Sequence, residues 1–348
     1  MNKVTLINAF AQLGKVMVQL GKQEPWTDFS LGLTEEEYER LQIVINRQIH
    51  FNGWFSKNSV CESLLALGNQ LTVESLTDWT SKYSFNINPK RVGVIMAGNL
   101  PLVGFHDFLC VLLSGHHIVA KMSSDDKTLL PALTELLVKF APEIQSRIRL
   151  TENRIGEIDA MIATGSNNSM RYFESYFGKY PHIFRKNRTS LAIFDGSETE
   201  EQIHELGKDI FTYFGLGCRN VSQILIPADF DINRFFGGII NHSEVVNHHK
   251  YANNYDYNKA IHLMNQENIL DNGFMLLKES DELHSPLAML FYHRYQNQSE
   301  VENYIEKHKE NLQVIVGNQY VPFGQAQSPM LSDYADGIDT MKWLEELK

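Results

Sequence analysis

The stretch "VGVIMAGNLPLVGFHDFLCVLLSGHHIVAKMSSDD", residues 92–126, contains a strand, a tight turn, an apolar helix and a second strand in succession. The runs VGVIM (92–96) and HIVAKM (117–122) are typical of buried strands, and the apolar segment between them is long enough for a helix. Two strands joined by such a helix form a parallel βαβ unit. The turn GNLP follows the first strand, and Pro101 suits the first position of the helix.

The segments on both sides extend this alternation. Before residue 92, apolar positions recur at spacings of three and four, which predicts a helical N-terminal segment that ends near Asn88-Pro89. Thr34, followed by glutamates, is typical of a helix start. Beyond residue 126, the pattern predicts helix 128–141, strand 160–165, strand 190–195, helix 200–215, strand 223–227, helix 231–240, helix 247–265, strand 273–278, strand 287–292, helix 300–308 and strand 312–317. The sequence therefore predicts an α/β protein with a doubly wound parallel sheet, whose ligands bind at the carboxyl ends of the strands, and a second α/β block.

Length, charge and cysteine content limit the class of protein. A chain of 348 residues exceeds an ordinary single core, which favours two domains. The net charge of -11, without a basic run, argues against general nucleic-acid binding. No apolar run is long enough for a membrane span and the N-terminus lacks a signal-like block, so we expect a cytoplasmic protein. No disulfide framework is predicted, because the three cysteines, Cys61, Cys110 and Cys218, are scattered along the chain. No metal site is predicted, because the histidines lack metal-binding spacing; these are His242, His248 and His249.

Four places carry residues suited to catalysis or to an anionic ligand. Cys218 lies between a glycine and an arginine, whose charge favours a thiolate, although packing is the commoner role of a cysteine. Asn99 follows the first strand, where its amide can donate to an oxyanion or serve only as a turn residue. Lys121 ends the second strand, and Gly165 and Ser166 open a helix whose N–H groups can face an anion. The residues alone leave both interpretations open.

Several motifs, in their order and spacing, are similar to those of known families. The arrangement of a strand, GNLP, a helix and GHHIVAKMSS resembles the cofactor-binding half of the aldehyde dehydrogenase superfamily. More closely, NGWFSKNSVCESLLAL, AGNLPLVGFHDFLCVLLSG, GLGCRNVS and PFGQAQSPMLSDYADGIDTMKWL resemble the acyl-CoA reductase family that includes the fatty-acid reductase of bacterial bioluminescence. The resemblance covers the chain from Phe51 to Leu344. It implies an aldehyde-dehydrogenase-like fold with a Rossmann-type cofactor domain and a second α/β catalytic domain.

The resemblance also implies roles for individual residues. Cys218 stands at the position of the catalytic nucleophile, and Asn99 at that of the oxyanion-binding asparagine. The residues at cofactor-binding positions are Lys121, Ser123, Ser124, Gly165 and Ser166. Ser124 stands where the superfamily often has a glutamate that binds the ribose 2'-hydroxyl. The loss of that carboxylate, together with the charge of Lys121, favours NADPH over NADH, while Asp125 opposes this preference.

The reaction implied by the resemblance is the NADPH-dependent reduction of an acyl thioester, with long-chain acyl-CoA as the family precedent, to the aldehyde through an acyl-cysteine. In aldehyde-oxidising members, a glutamate before the strand matched by SLAIFD activates water. This chain reads HIFRKNRTS there, without a carboxylate, which favours reduction over hydrolysis. His106 and His182 are candidate acid–base groups, although a lone histidine is more often structural. The alternatives are an oxidative aldehyde dehydrogenase and a non-catalytic acyl-carrier-binding subunit.

The expected organisation has three parts. The helical N-terminal segment and the dinucleotide-binding domain occupy residues 1–213, and the catalytic domain occupies residues 214–325. Residues 326–348 form a tail that packs back near the active site or cofactor domain, or that is only a terminal capping helix. The expected partner is an acyl-CoA or an acyl-protein thioester. The sequence leaves the acyl chain length, the donor and the oligomeric state open, with a homo-oligomer as one option.

Overall fold

The chain begins with five helices. The computed structural model describes residues 2–347. The helices are α1 (Lys3–Gly21), α2 (Glu35–Asn46), α3 (Gln48–Phe51), α4 (Lys57–Gln70) and α5 (Val73–Ser81). Thr34 and Glu37 form a reciprocal capping box at the start of α2, as the run of glutamates predicts. Arg47 separates α2 from α3, so the residues after Thr34 form two consecutive helices.

The first sheet has five parallel strands. Its elements are β1 (Arg91–Ile95), α6 (Phe105–Leu113), β2 (His117–Lys121), α7 (Leu129–Phe140), β3 (Ile148–Thr151), β4 (Ala160–Thr164), α8 (Asn167–Phe177) and β5 (His182–Arg185). The strand order is β3-β2-β1-β4-β5, so the order reverses between β1 and β4. This is the doubly wound order, which opens a crevice for ligands at the carboxyl ends of β1 and β4. The sequence analysis identified the three central strands and missed β3 and β5.

The second sheet has six strands in the order β11-β6-β7-β10-β9-β8. Its elements are β6 (Thr189–Ile193), α9 (Glu200–Phe211), β7 (Val221–Pro227), α10 (Ile232–Ile239), α11 (His249–Met264), β8 (Leu270–Asp271), β9 (Leu276–Glu279), β10 (Met289–Tyr295), α12 (Gln298–His308) and β11 (Leu312–Gly317). All neighbours are parallel except the short edge strand β8, which is antiparallel to β9.

The chain forms two compact units whose boundary differs from the expected one. The first unit comprises the chain up to Asn187 and the segment from Met330 onward, and the second unit is Arg188–Pro329. The expected boundary after residue 213 would assign β6 and α9 to the first unit. That assignment is wrong because β6 pairs with β7 and β11 in the second sheet. Local periodicity identifies a strand, whereas its partners depend on distant residues.

The C-terminal segment packs back onto the first unit. It ends in α13 (Thr340–Glu345). Trp79 Nε1 donates to the hydroxyl of Tyr334 at 2.9 Å, and His116 Nε2 donates to the carbonyl of Leu344 at 2.9 Å. Leu344 and the neighbouring Met341 are buried in the same core as the N-terminal helices. Packing in that core and these hydrogen bonds hold the segment in place.

The turn after β1 differs from the prediction in one detail. Pro101 does not occupy the first position of α6, which begins at Phe105 after the N-cap residue Gly104. Leu102 has a left-handed backbone with φ of 58°. Its N–H donates to Oδ2 of Asp126 at 2.7 Å. The carboxylate therefore holds residues 101–104 in a turn, and the helix starts only after it.

In the part of the chain that the structure describes, no helix combines the length and the apolar character needed to cross a membrane.

Candidate active site

Six of the seven predicted site residues lie in the first unit, at one edge of its sheet. Ile95 at the end of β1 is in register with Lys121 of β2 and next to Ala163 of β4. The segments that follow these three parallel strands therefore leave the sheet at the same edge. This edge carries Asn99 after β1, Lys121 as the last residue of β2 with Ser123 and Ser124 after it, and Gly165 with Ser166 after β4. The structure brings together the residues assigned to the cofactor and the asparagine assigned to the oxyanion.

The turn that carries Asn99 is braced from the helical segment. Asn52 Nδ2 lies 3.5 Å from the carbonyl oxygen of Gly98. Ser63 Oγ donates to the carbonyl of Pro101 at 2.7 Å, and this hydrogen bond is buried. Asn99 itself is exposed between these two braced residues. The exposed amide at the end of β1 is compatible with its predicted role as a hydrogen-bond donor to a ligand.

Asp126 is a residue of this edge that the sequence analysis missed. It is buried, and its carboxylate accepts the N–H of Leu102. Burial raises the pKa of Asp126 to about 6, while backbone hydrogen bonds from Leu102 and Leu129 act in the opposite direction. A lone aspartate after a predicted strand gives no sign of burial. Its function is visible only from the left-handed backbone that it supports.

The segments after β1 and β2 touch each other at Gly98. A Cβ atom at this position would lie 2.2 Å from Ser123 Oγ and 2.5 Å from Ser123 Cβ. Only a glycine allows this approach without displacement of the serine. Ser123 Oγ accepts the N–H of Asp125 at 3.2 Å, which shapes the next turn. Ser123 is therefore held between the two segments, whereas Ser124 and Asp125 are exposed at the edge.

The segment after β4 provides a helix N-terminus at the same edge. The N–H of Gly165 donates to the carbonyl of Arg185 at 3.2 Å. Ser166 is the N-cap residue of α8, and its side chain accepts the N–H of Ser169 at 3.3 Å. A Cβ atom at Gly165 would lie 2.9 Å from Ser169 Cβ, so a side chain there would push the helix away. The eleven-residue helix thus starts close to the strand end, as anion binding at a helix N-terminus requires.

Cys218 lies in the second unit, on the turn between α9 and β7. Of the three cysteines, Cys61 and Cys110 are buried and Cys218 is exposed. The carbonyl of Cys218 accepts a hydrogen bond from Ser190 Oγ at 3.0 Å. Arg219 directs its Nε to the carbonyl of Ala326 at 2.5 Å. The backbone of Cys218 is therefore anchored to β6, and its neighbour to the segment after β11.

The two candidate acid–base histidines occupy different environments. His106 Nε2 donates to the carbonyl of Leu331 at 3.0 Å, and its ring lies against Trp79 and Tyr334. Burial lowers the pKa of His106. His182 is exposed, and its ring stacks on Phe184 within β5 at 4.0 Å. The contacts of His106 join α6 to the C-terminal segment.

The sequence model of the acyl-CoA reductase (LuxC) family matches residues 35–234, which is more than half of the chain. The chain belongs to this family. The match includes the turn of Asn99, the edge segments after β2 and β4, and Cys218. Membership of the acyl-CoA reductase (LuxC) family places the protein among oxidoreductases that act on acyl or aldehyde groups. The resemblance inferred from the motifs is confirmed.

Solved structures of aldehyde dehydrogenases share the fold of this LuxC-family chain. Aldehyde dehydrogenase 21 from Physcomitrella patens, in complex with the product succinate, is 9% identical, with a TM-score of 0.65 over 99% of this chain and 84% of that chain. A mutant indole-3-acetaldehyde dehydrogenase from P. syringae, in complex with NAD+, is 10% identical, with a TM-score of 0.62 over 91% and 72% of the two chains. An aldehyde dehydrogenase from Bacillus cereus, also in complex with NAD+, is 12% identical, with a TM-score of 0.60 over 91% of this chain and 72% of that chain. The predicted aldehyde-dehydrogenase-like α/β fold is thus confirmed. A sequence search of the curated proteins found no match.

Proposed function

We propose that the protein reduces an acyl thioester to the aldehyde with NADPH, through an acyl-cysteine at Cys218. The observation that carries this proposal is the exposure of Cys218 alone among the cysteines, on an anchored turn within the region that matches the acyl-CoA reductase family. Cys61 and Cys110 are buried, and burial raises the pKa of both thiols. A nucleophile must be accessible and ionisable, so these two cysteines are unsuited to the reaction.

The chain's own residues have two tasks in this reaction, which are to supply the nucleophile and to stabilise the oxyanion. The Cys218 thiolate attacks the thioester carbonyl, and the carbon–sulfur bond to the carrier then breaks. The carrier leaves as a thiolate, which takes up a proton. We assign the stabilisation of the oxyanion to the side-chain amide of Asn99 and the backbone N–H of Cys218, because fixed donors at a developing negative charge lower the barrier. With a nicotinamide nucleotide bound, a hydride would add to the acyl carbon; the bond from that carbon to Cys218 Sγ would then break, releasing the aldehyde and regenerating the Cys218 thiolate.

The edge formed by β1, β2 and β4 has the features needed for a dinucleotide. It combines the N-terminus of α8 for the pyrophosphate with Lys121 for the adenosine ribose or its phosphate. We propose NADPH rather than NADH because Lys121 provides a positive charge and Ser124 replaces a carboxylate. Asp125, which is exposed beside Ser124, acts against this preference. The balance between the positive charge of Lys121, the neutral Ser124 and the negative charge of Asp125 decides which nucleotide is preferred.

The direction of the reaction follows from a missing base. Residues 182–190, where aldehyde-oxidising members carry the water-activating glutamate, contain no carboxylate in this chain. Without a base to activate water, an acyl-cysteine persists long enough to receive a hydride or to exchange with a thiol. We therefore propose that the protein forms aldehydes from thioesters rather than acids from aldehydes.

A panel of acyl-CoA substrates of increasing chain length tests the function. The purified protein is mixed with each acyl-CoA and NADPH, nicotinamide absorbance is followed, and the aldehyde is trapped with a hydrazine for mass spectrometry. We expect NADPH oxidation and aldehyde formation in equal amounts, with the best chain length identifying the substrate. Aldehyde-dependent reduction of NADP+ without CoA, giving the free acid, would indicate the oxidative enzyme instead. Tight binding of an acyl carrier protein without turnover would indicate a non-catalytic subunit.

Replacement of Lys121 tests the choice of nucleotide. Lys121→Met removes the charge proposed to contact the 2'-phosphate, so we expect KM for NADPH to rise by about tenfold or more, since a hydrogen bond to a charged group contributes about 1.5–3 kcal/mol. KM for NADH should change by less than about twofold, because NADH lacks that phosphate. The matched control is Lys127→Met, since Lys127 follows the same strand and lies 3.8 Å from Glu152. An equal rise in KM for NADPH and for NADH would contradict the assignment of Lys121 to the 2'-phosphate.

A further inference from the structure

The turn that carries Cys218 is closed by hydrogen bonds from a single residue. The N–H of Asn220 donates to the carbonyl of Gly217 at 3.0 Å, and the side-chain Oδ1 of Asn220 accepts the N–H of Gly217 at 2.8 Å. Cys218 and Arg219 are the two central residues of this four-residue turn. Both polar groups of the Gly217 backbone are thus bound to Asn220, and the loop of four residues is fixed at both ends. We call residues 217–220 the Cys218 turn.

The same side chain ties the Cys218 turn to the carboxyl end of α9. Asn220 Nδ2 donates to the carbonyls of Asp209 at 3.0 Å, Ile210 at 3.2 Å and Thr212 at 2.8 Å. The last carbonyls of a helix have no partner within the helix and need one from elsewhere. Asn220 is 2% exposed, so its side-chain amide is shielded from bulk water. An amide is needed here, because the position requires two donors and an acceptor in one small group.

The segment between α9 and the Cys218 turn adopts a strained backbone. Tyr213, Phe214 and Gly215 all have left-handed conformations, with φ of 53°, 59° and 81°. Such conformations are unfavourable for residues with a Cβ atom and persist only where surrounding contacts enforce them. The hydrogen bond from Asn220 Nδ2 to Thr212, the residue before this segment, is one of those contacts. Without it, the path of the chain into the Cys218 turn would lose a constraint.

A second set of contacts fixes the far side of the turn. Oδ2 of Asp209 accepts the N–H of Gly324 at 2.6 Å, and Oδ1 accepts the N–H of Ala326 at 2.9 Å. The carbonyl of Ala326 in turn accepts Nε of Arg219. Asp209 therefore contributes to both supports, since its own carbonyl accepts Asn220 Nδ2. The contacts form a closed ring that runs from α9 through the segment 324–326 to Arg219 and back through Asn220.

We infer that Asn220 is a positioning residue for the Cys218 thiol. The inference rests on the proposed function of Cys218 as the nucleophile. A nucleophile acts efficiently only if its position relative to the oxyanion donors is fixed, and a displacement of about 1 Å can reduce the rate by about 100-fold. Asn220 touches neither substrate nor cofactor in this assignment. It acts through the backbone of Gly217 and the end of α9.

The test compares Asn220→Ala with Gln223→Ala. Gln223 is a matched control because it is a fully buried amide of the same unit whose Nε2 donates to the carbonyl of Ser280, away from the turn. Three quantities are measured for each variant: the melting temperature, kcat and KM for acyl-CoA reduction, and the rate constant for alkylation of Cys218 by iodoacetamide, read by peptide mass spectrometry.

We expect Asn220→Ala to lower kcat by about 100-fold with KM for NADPH changed by less than about twofold, and to change the alkylation rate several-fold. Gln223→Ala should lower the melting temperature to a similar extent while kcat falls by less than about threefold.

Several outcomes would overturn the inference. If both variants lose the same fraction of kcat for the same loss in melting temperature, Asn220 acts only through stability. If Asn220→Ala does not fold, Asn220→Asp replaces it, since this isosteric change keeps the acceptor for Gly217 and removes both donors to α9. Unchanged kcat and alkylation in folded Asn220→Asp would also refute the inference. Failure of the proposed function has a different signature, because the native protein would then reduce no acyl-CoA while the alkylation rates would still report on the turn.

Discussion

Cys218→Ala is expected to lose acyl-thioester reduction by at least about 10⁴-fold, because no other group can form the covalent intermediate. The side chain is exposed on its turn, so its removal leaves no cavity and should leave the stability of the protein nearly unchanged. Cys218→Ser should retain only a trace of activity, since a serine hydroxyl is a much weaker nucleophile than a thiolate unless a base activates it. The two replacements together separate the chemistry of the thiol from its size.

The covalent intermediate can be observed directly. Without a nicotinamide nucleotide, incubation of the native protein with acyl-CoA should add one acyl group, which intact-mass spectrometry detects and peptide mapping assigns to Cys218. The Cys218→Ala protein should remain unlabelled and should still bind NADPH. Cys61→Ala and Cys110→Ala are the controls, because both cysteines are buried and both variants should be labelled as the native protein is. A fully active Cys218→Ala protein, or a label on another cysteine, would end the assignment.

The sequence contained enough information for the centre of the first sheet and for the helical segment before it. The strands β1, β2 and β4 are buried and nearly continuous in apolar residues, which is the sequence pattern typical of central strands in a parallel sheet. Helix α2 begins directly after Thr34, as predicted, and α9 begins at Glu200, the start of the predicted helix 200–215. Because the carboxyl ends of parallel strands share one edge, these elements already placed Asn99, Lys121 and Ser166 near each other.

The elements that the sequence did not reveal have a common physical cause. The strands β3 (IRLT) and β5 (HIFR) are the two edges of the first sheet, so they are short and carry charged residues. Their apolar content is too low for a periodicity argument. The assignment of β6 to the second sheet depends on pairing with β11, more than a hundred residues later, which local patterns do not encode. Asp126 and Asn220 were missed for a similar reason, since their partners are backbone groups of turns and of a helix end.

The second large effect concerns the buried ion pair between Arg185 and Asp107, which links β5 to α6. Arg185 Nη1 lies 2.6 Å from Asp107 Oδ2, and Arg185 Nη2 donates to Thr340 Oγ1 of α13 at 2.8 Å. Burial alone would lower the pKa of Arg185, but the charge of Asp107 outweighs burial and raises it. Asp107 Oδ1 and Arg185 Nε are buried without another hydrogen-bond partner within residues 2–347. The pair therefore depends on one short contact, and removal of either partner leaves a buried, uncompensated charge.

Arg185→Met is expected to reduce the free energy of unfolding of the first unit by about 3–5 kcal/mol, which is the usual loss when one partner of a buried pair is removed. Urea unfolding followed by tryptophan fluorescence measures this loss selectively, because all four tryptophans lie in the first unit, at Trp26, Trp54, Trp79 and Trp343. The control is Arg40→Met, since Arg40 pairs with Glu36 on the surface, where both side chains are largely exposed, and the expected loss is below about 1 kcal/mol.

The double variant Asp107→Leu with Arg185→Met distinguishes an ion-pair effect from a packing effect. It replaces both charges by apolar side chains, and we expect it to recover much of the stability lost in Arg185→Met, because no unpaired charge remains in the core. If the double variant is as unstable as Arg185→Met, the loss arises from packing around the arginine. If Arg185→Met loses no more stability than Arg40→Met, the pair contributes nothing to the anchoring of α13. If the double variant recovers the lost stability, charge neutralisation in the core holds β5, α6 and the C-terminal helix α13 together. The same ion pair then also fixes β5 at Arg185, whose carbonyl accepts the N–H of Gly165 at the edge of the sheet.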